Sequence, residues 1–468
     1  MSVEGYLVLA SADSARLKSI AAGLWPQLAR AGWRRRMTRP FLHVYAPSTT
    51  RLEVAEAFDA HGVLIGQVFD RSGAALSTRE RAIFAGSDLD DHRAQGIVRN
   101  LWGRYVLIRQ GSDGVAVLRD PSGALEAVCW RKGPVTVIAP DAPTALDTLL
   151  PDEVAIDWDG VTRLLHSGGR FRHLVPLHGL SPVAPGSLVT VGRDAIRSRQ
   201  IWRPAEIYRD GRSKSGPDLR TVVDQSVRAL AGDRQWVVEI SGGLDSAIVV
   251  AALDESQRAR TSAWVNYFAD DPEGDERPFA RSVLERFGGR LTEVHREGLA
   301  LSPERLRETA IGFRPSINDL DVAYNDDMDA KIIASGAWGS LTGQGGDAVF
   351  FQMPSFLVAL DEVFENGLRA RPAVVHDIAR WTGRSLWPAS WLKALSDHRR
   401  AREGWEHPWL GDLKSVPPAK ALQISALVNC QTFHGVAGRS RHGPSVHPLL
   451  SQPVMDCLLY TSPSPRDV

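Results

Sequence analysis

The chain reads as two units in succession, an antiparallel β-sandwich and then a doubly wound α/β sheet. Three observations carry this. At 468 residues the chain exceeds what one hydrophobic core ordinarily organises. Up to about residue 205, short apolar runs come in pairs separated by turn residues, the mark of hairpins. Beyond that point, apolar β-branched runs alternate with helix-compatible segments, an order that gives a parallel sheet covered on both faces.

In the first unit, Val63-Leu64-Ile65-Gly66-Gln67-Val68-Phe69 is a strand. Gly103-Arg104-Tyr105-Val106-Leu107-Ile108-Arg109 and Gly114-Val115-Ala116-Val117-Leu118-Arg119-Asp120, split by Gln110-Gly111-Ser112-Asp113, form a hairpin. Asp120-Pro121-Ser122-Gly123 is turn chemistry, and Ala127-Val128-Cys129-Trp130 is a further strand. From Asp157 to Pro204 the text reads as loop and hairpin, punctuated by Pro182, Pro185-Gly186 and Gly192. The polar stretch Asp210-Gly211-Arg212-Ser213-Lys214-Ser215-Gly216-Pro217 is the expected linker.

Composition narrows the class. The 55 basic and 55 acidic residues cancel, so no global field draws the chain to nucleic acid or to a membrane surface. Cys129, Cys430 and Cys457 have neither metal-ligand spacing nor the number for a disulfide framework, which fits a reducing cytoplasm. Met1-Ser2-Val3-Glu4 has no basic start, Tyr6-Leu7-Val8-Leu9-Ala10 is too short for a signal core, and no apolar run approaches the roughly 20 residues that cross a bilayer.

The second unit is organised around Ser241-Gly242-Gly243-Leu244-Asp245-Ser246. A helix at 219–231 leads into Gln235-Trp236-Val237-Val238-Glu239-Ile240, a buried parallel strand, and Ala247 to Leu253 continues as helix. Strand, glycine turn and helix N-terminus together aim backbone N–H groups and the positive end of a helix dipole at an anion. An aspartate in such a turn would repel a bare phosphate and so points to a bridging Mg²⁺. The Gly-Lys-Ser/Thr ending of a Walker loop is absent. Next come a strand at 261–267 and a helix opened by Asp275-Glu276-Arg277-Pro278. Its acidic pair serves equally as a helix cap or as a nucleotide contact.

The second glycine cluster is Leu341-Thr342-Gly343-Gln344-Gly345-Gly346-Asp347. Between the two clusters, Arg314-Pro315-Ser316-Ile317-Asn318-Asp319 and Tyr324-Asn325-Asp326-Asp327 read as polar loops that either line a substrate cavity or are solvated turns. Farther on, Pro417-Pro418-Ala419-Lys420 opens a helix, followed by His447-Pro448-Leu449-Leu450-Ser451-Gln452-Pro453. His447 reads as a structural histidine packing its proline-flanked turn.

Ser-Gly-Gly-Leu-Asp-Ser resembles the pyrophosphate loop of the N-type ATP pyrophosphatases, which include asparagine synthetase, β-lactam synthetase and the lasso-peptide cyclases. The Gly-Arg-Tyr-Val and Arg-Asp-Pro-Ser-Gly-Ala-Leu pieces, Pro-Pro-Ala-Lys and His-Pro-Leu-Leu-Ser-Gln-Pro are similar to the last of these. The resemblance implies a degenerate glutaminase-like (Ntn-type) α+β domain over 1–205 and an ATP-pyrophosphatase domain over 206–468. It implies ATP and Mg²⁺, with Ile240, Ser241, Gly242, Gly243, Leu244, Asp245, Ser246, Val265 and Gly343 as nucleotide contacts. Asp245 and Asp347 would be the metal ligands, and Gly345 and Gly346 would lie close to the reacting acyl-adenylate.

Two departures shape the expected reaction. A working glutaminase carries cysteine at its mature N-terminus, whereas position 2 here is Ser2, so the first unit is expected to be scaffold or a partner's docking surface. Where asparagine synthetases place an acid and β-lactam synthetase a tyrosine, this chain has Gln344, which cannot be a general base. The resulting expectation is macrolactam formation in a precursor peptide. An Asp or Glu side chain is adenylated and the peptide's N-terminal amine attacks, with a leader-binding protein and a leader peptidase as partners. The alternatives are a small-molecule amide synthetase and a non-catalytic peptide-docking subunit. The stretch 457–467 fits nothing before it and looks like an adapter read-through, with the native chain interrupted near Met455-Asp456. The family's lysine after Pro448 is then missing, and activity should be weak.

Overall fold

The computed structural model describes residues 3–460 apart from 57–60, 78–79, 85, 87, 113, 141–147, 152, 167–173, 194, 212–217, 297–301, 305–306, 308–311, 314–317, 319, 354, 386, 388–390, 397–406, 415 and 436–437. Ser2, the proposed linker from Arg212 onward, 314–317, Asp319 and the last eight residues therefore lie outside the described residues.

Two six-stranded antiparallel sheets form the first half. One runs, in spatial order, Ser181–Pro182, Val128–Lys132, Val135–Ala139, Leu7–Ala10, Leu42–Pro47, Trp33–Arg39. The other runs Ile196–Gln200, Ser187–Val191, Val115–Arg119, Leu101–Gln110, Gly62–Asp70, Val54–Glu56. Side chains alternate across each strand, so one sequence feeds two cores. Val8, Val44, Val63, Ile65, Val106, Ile108 and Val117 meet between the sheets. Leu7 and Leu9 point the other way, onto Leu17, Leu24 and Leu28 of the helix Ser14–Arg30. The hairpin expected at 103–120 is present, with Val106 opposite Arg119 and Gln110 opposite Val115.

A five-stranded parallel sheet forms the second half, in the order Leu291–His295, Ala263–Phe268, Trp236–Glu239, Gly339–Leu341, Ser445–Val446. The chain starts at the centre, steps outward twice, then returns to the other side. That reversal falls between Trp236–Glu239 and Gly339–Leu341, and a doubly wound sheet opens its ligand crevice at such a point. Helices Leu219–Ala231, Leu244–Ala252 and Arg277–Phe287 pack on one face through Val222, Val249, Ala280 and Leu284. Val322–Ser335 covers the other through Met328 and Ile332, against Val237 and Val265.

Three segments differ from the sequence reading. The acid-rich stretch read as a loop at 324–327 lies inside the helix Val322–Ser335. Tyr324, Met328 and Ile332 recur every four residues and give that helix its buried face, while the Asp321 side chain accepts the Tyr324 N–H as a cap. Trp158–His166, within the stretch read as loop and hairpin, is also helical. Asp210 and Gly211, assigned to the linker, close the helix Pro204–Gly211.

The helix Gln452–Tyr460 joins the two halves. Asp456, buried, accepts from the Trp202 indole at 2.9 Å and from Arg71 at 3.2 Å, and Cys457 and Leu459 pack into the largest core cluster. The first residues of the stretch expected to be foreign are thus helical and buried. Asp456→Ala would strand an indole N–H and remove a partner of Arg71, a loss of about 2–4 kcal/mol. It should lower the thermal unfolding midpoint by several degrees, with Asp456→Asn retaining about half of that loss because it keeps an acceptor for Trp202.

Candidate active site

Both glycine clusters leave the carboxyl ends of neighbouring strands, so the sheet brings them face to face. The contact is very close. A Cβ on Gly346 would lie 2.1 Å from Asp245 Cγ, and one on Gly343 would lie 2.5 Å from the Ser246 nitrogen. Gly345, at φ +93°, turns the chain into the short helix Gly346–Val349 and abuts Leu450. Gly242, at φ +102°, presses on the Glu276 carbonyl, 2.3 Å from where a Cβ would sit. Only glycine satisfies both the backbone conformation and the contact at that position.

Within the first loop, the Ser241 and Ser246 hydroxyls are 3.1 Å apart, Gly243 N–H donates to Ser241 Oγ at 3.1 Å, and Ser246 Oγ donates to the Gly243 carbonyl at 3.0 Å. No side chain caps the helix Leu244–Ala252, which leaves its first-turn N–H groups directed at the crevice. Asp275 accepts the Arg277 N–H, the first of the next helix, at 3.1 Å and grips the Arg277 guanidinium at 2.8 Å through both carboxylate oxygens, which holds its pKa at about 2.

Asp245 and Asp347 come within hydrogen-bonding reach of one another. Burial first, and then the Asp347 carboxylate, push Asp245 up to about 6, while a 2.8 Å bond from Gln352 Nε2 works in the opposite direction. Gln352 follows Phe351, whose φ of +54° is a costly conformation for a bulky residue. Among the described residues neither aspartate makes an ion pair, and no three His, Cys, Asp or Glu side chains gather into a protein-only metal cage. Two hard oxygen donors without a counter-charge are a pair that could hold a divalent cation such as Mg²⁺.

Ile240 and Val265 are fully buried and turn no side chain to the crevice; the Ile240 N–H donates to the Val265 carbonyl at 2.8 Å and so fixes the loop's origin. Leu244 is exposed. His447 is pinned, with Nε2 donating to the Phe433 carbonyl at 3.0 Å and Nδ1 accepting from Thr342 Oγ1 at 2.7 Å. Burial drives it down to about 3, so the imidazole is neutral. Asn266, Gln352, Glu239 and Arg439 were not singled out from sequence. Asn266 Nδ2 donates to the Ile240 and Ser241 carbonyls at 2.7 and 3.0 Å, tying the loop to the next strand. A polar residue near the end of an apolar strand was the available signal.

Residues 218–434 match the asparagine synthase family model. The match supports an ATP-dependent carbon–nitrogen ligase. Among curated proteins, the chain is 24% identical over 162 residues to the Microcin J25-processing protein McjC of Escherichia coli. That alignment covers 33% of this chain and spans 29% of the relative's length. Among solved structures, the allosteric regulatory enzyme of purine biosynthesis shares 12% identity over 73% of this chain and 84% of its own, with a TM-score of 0.25. The B. subtilis glutamine phosphoribosylpyrophosphate amidotransferase shares 11% over 84% and 92%, with a TM-score of 0.26. At these scores neither carries an argument.

The glycine contacts make a direct prediction. Gly346→Ala should weaken ATP binding about tenfold or more by calorimetry, because a methyl there displaces Asp245. Gly23→Ala, in a helix with nothing within 4 Å, should leave binding unchanged and stabilise by about 0.5–1 kcal/mol.

Proposed function

We propose that this protein closes a macrolactam in a precursor peptide, using ATP to adenylate an Asp or Glu side chain that the peptide's own N-terminal amine then attacks. The observation that carries the reading is the apposition of Asp245 and Asp347 by glycines that leave no room for side chains. The asparagine synthase match supports the ligase class, and the microcin-processing relative supports a peptide substrate. Residues 206–468 would carry the chemistry, and 1–205 would be scaffold or docking surface. A leader-binding protein and a leader peptidase are the expected partners.

In this reading, the loop 241–246 receives the phosphates on its first-turn N–H groups and on the Ser241 and Ser246 hydroxyls. Asp245 and Asp347 would hold Mg²⁺, which would offset charge building on the departing pyrophosphate. Gln352 keeps Asp245 turned toward Asp347, and Asn266 keeps the loop seated on the sheet. Gly345 and Gly346 would bring the second loop's backbone close to the reacting carbonyl, while the site orients amine and acyl group as an intramolecular pair.

ATP–pyrophosphate exchange tests this. A peptide with a small N-terminal residue and an Asp or Glu within its first turns should stimulate exchange, and free aspartate should not. Asp245→Asn and Asp347→Asn should each reduce the rate about 100-fold or more. Exchange driven by free aspartate alone would move the assignment to a small-molecule amide synthetase.

A further inference from the structure

The amine that attacks an acyl-adenylate enters as an ammonium at neutral pH and must lose a proton before it has a lone pair to donate. The position in the second loop where an acid might stand is occupied by Gln344, which can take up no proton. A base must therefore come from elsewhere around the same space.

Gln344 identifies that space. Its Oε1 accepts from Arg439 Nη2 at 3.3 Å, and the Arg439 guanidinium, buried, lies 5.7 Å from the Tyr324 ring. Tyr324 donates its hydroxyl to Glu239 Oε2 at 2.8 Å. Glu239 ends the strand that runs directly into the loop 241–246, is partly buried, and lies on the face of the sheet covered by Val322–Ser335. One continuous polar wall therefore runs from the first glycine loop, through Glu239, Tyr324 and Arg439, to the second.

The groups facing Glu239 can be taken element by element. Arg439, and Arg296 after the strand Leu291–His295, are permanent cations. Tyr324 and its edge-on neighbour Tyr267 are held protonated by burial and by the acids they face. Asp327 is paired to Lys331 through both oxygens and accepts from Tyr267 at 2.8 Å. His447 has both ring nitrogens engaged. Glu239 has Tyr324 as its one hydrogen-bond partner among the described residues.

We propose that Glu239 is the general base of ring closure and that Tyr324 positions it. One proton passes from the attacking ammonium to the Glu239 carboxylate. The freed nitrogen lone pair forms the C–N bond, the bond between the acyl carbon and the phosphate oxygen breaks, and AMP leaves with that electron pair. The second amine proton, released as the tetrahedral centre collapses, passes to solvent. Burial raises the proton affinity of Glu239 above that of a free carboxylate, and the Tyr324 hydrogen bond acts in the opposite direction. This assignment rests on the adenylation reading above.

The test separates the two half-reactions. Glu239→Gln keeps an oxygen acceptor for Tyr324 but cannot take a proton. It should hold peptide-dependent ATP–pyrophosphate exchange within about threefold of wild type while ring closure, followed as loss of water by mass spectrometry, falls about 100-fold or more. Hydroxylamine, a nucleophile already neutral at the assay pH, should trap the adenylate as hydroxamate equally well in both proteins. Tyr324→Phe removes a bond that stabilises the carboxylate anion, so the acidic limb of the closure profile should move to higher pH. Closure unchanged in Glu239→Gln overturns the proposal. Exchange, trapping and closure falling together also overturn it, because the pair would then only brace the strand against the helix. If the wild-type protein shows no exchange with any acidic peptide, the adenylation reading itself fails, and the base assignment with it.

Discussion

Everything in the second half answers to one steric constraint: two loops from neighbouring strands pass so close that the second has no room for a methyl group where it meets the first. Gly343 lies against the Ser246 backbone and Gly346 against the Asp245 carboxylate. Bringing two acids together is unfavourable in itself, and burial, then the Asp347 carboxylate, raise the proton affinity of Asp245. The fold maintains the arrangement through rigid supports rather than charge compensation. Asn266 ties the first loop to the next strand, Gln352 braces Asp245, and Phe351 accepts a strained backbone to put Gln352 there.

The surroundings follow from the same constraint. The sheet order places its reversal between the two loop-bearing strands, so the crevice opens where helices on opposite faces diverge. On the side covered by Val322–Ser335, the wall is polar, with Glu239, Tyr324, Tyr267, Arg439 and Gln344 linked by hydrogen bonds or ring contacts. The Arg439 Nε has no partner in that wall. A buried guanidinium is not left incompletely bonded without consequence, and a substrate oxygen or the carboxylate it faces would complete it. Behind the loop, His447 bonds Thr342, the residue immediately before Gly343, so its neutral imidazole is part of the backbone support and not of the chemistry.

Local patterns made much of this legible. The strand at 235–240, the helix at 219–231 and the hairpin at 103–120 follow from apolar period and turn residues, and the structure places all three. The expectation that Asp245 and Asp347 belong together came from the resemblance of the two glycine clusters to the ATP pyrophosphatases, and the structure brings the two side chains together. The helix Val322–Ser335 was not legible, since Asn325, Asp326, Asp327 and Asp329 mimic a turn and only the four-residue recurrence of Tyr324, Met328 and Ile332 betrays the buried face. Glu239, Gln352 and Arg439 were hidden for a different reason. Their meaning lies in partners that are 85, 107 and 95 positions away in the chain, and no local rule reports those distances.

The role of the first half follows from its core. In an antiparallel sandwich that stands alone, one face of each sheet is usually wet and its strands alternate apolar with polar. Here the second sheet is buried on both faces: Ile65, Ile108 and Val117 fill the sandwich, while Leu64, Leu107 and Leu118 join the same cluster as Val222, Val249 and Met455. The Arg119-Asp120 turn is likewise consumed by structure. Arg119 donates to the carbonyls of Gly123, Leu125 and Val183, and Asp120 accepts from the Tyr105 and Ser122 N–H groups. Gly123 then abuts Gln431, at the end of the helix Pro418–Cys430, so the turn keys one half into the other. A sheet whose outer face is the floor of the neighbouring core cannot be removed or hinged without exposing that core. The energetic work of the first half is therefore to complete the hydrophobic support of the helices behind the glycine loops, which is what holds those loops at contact distance.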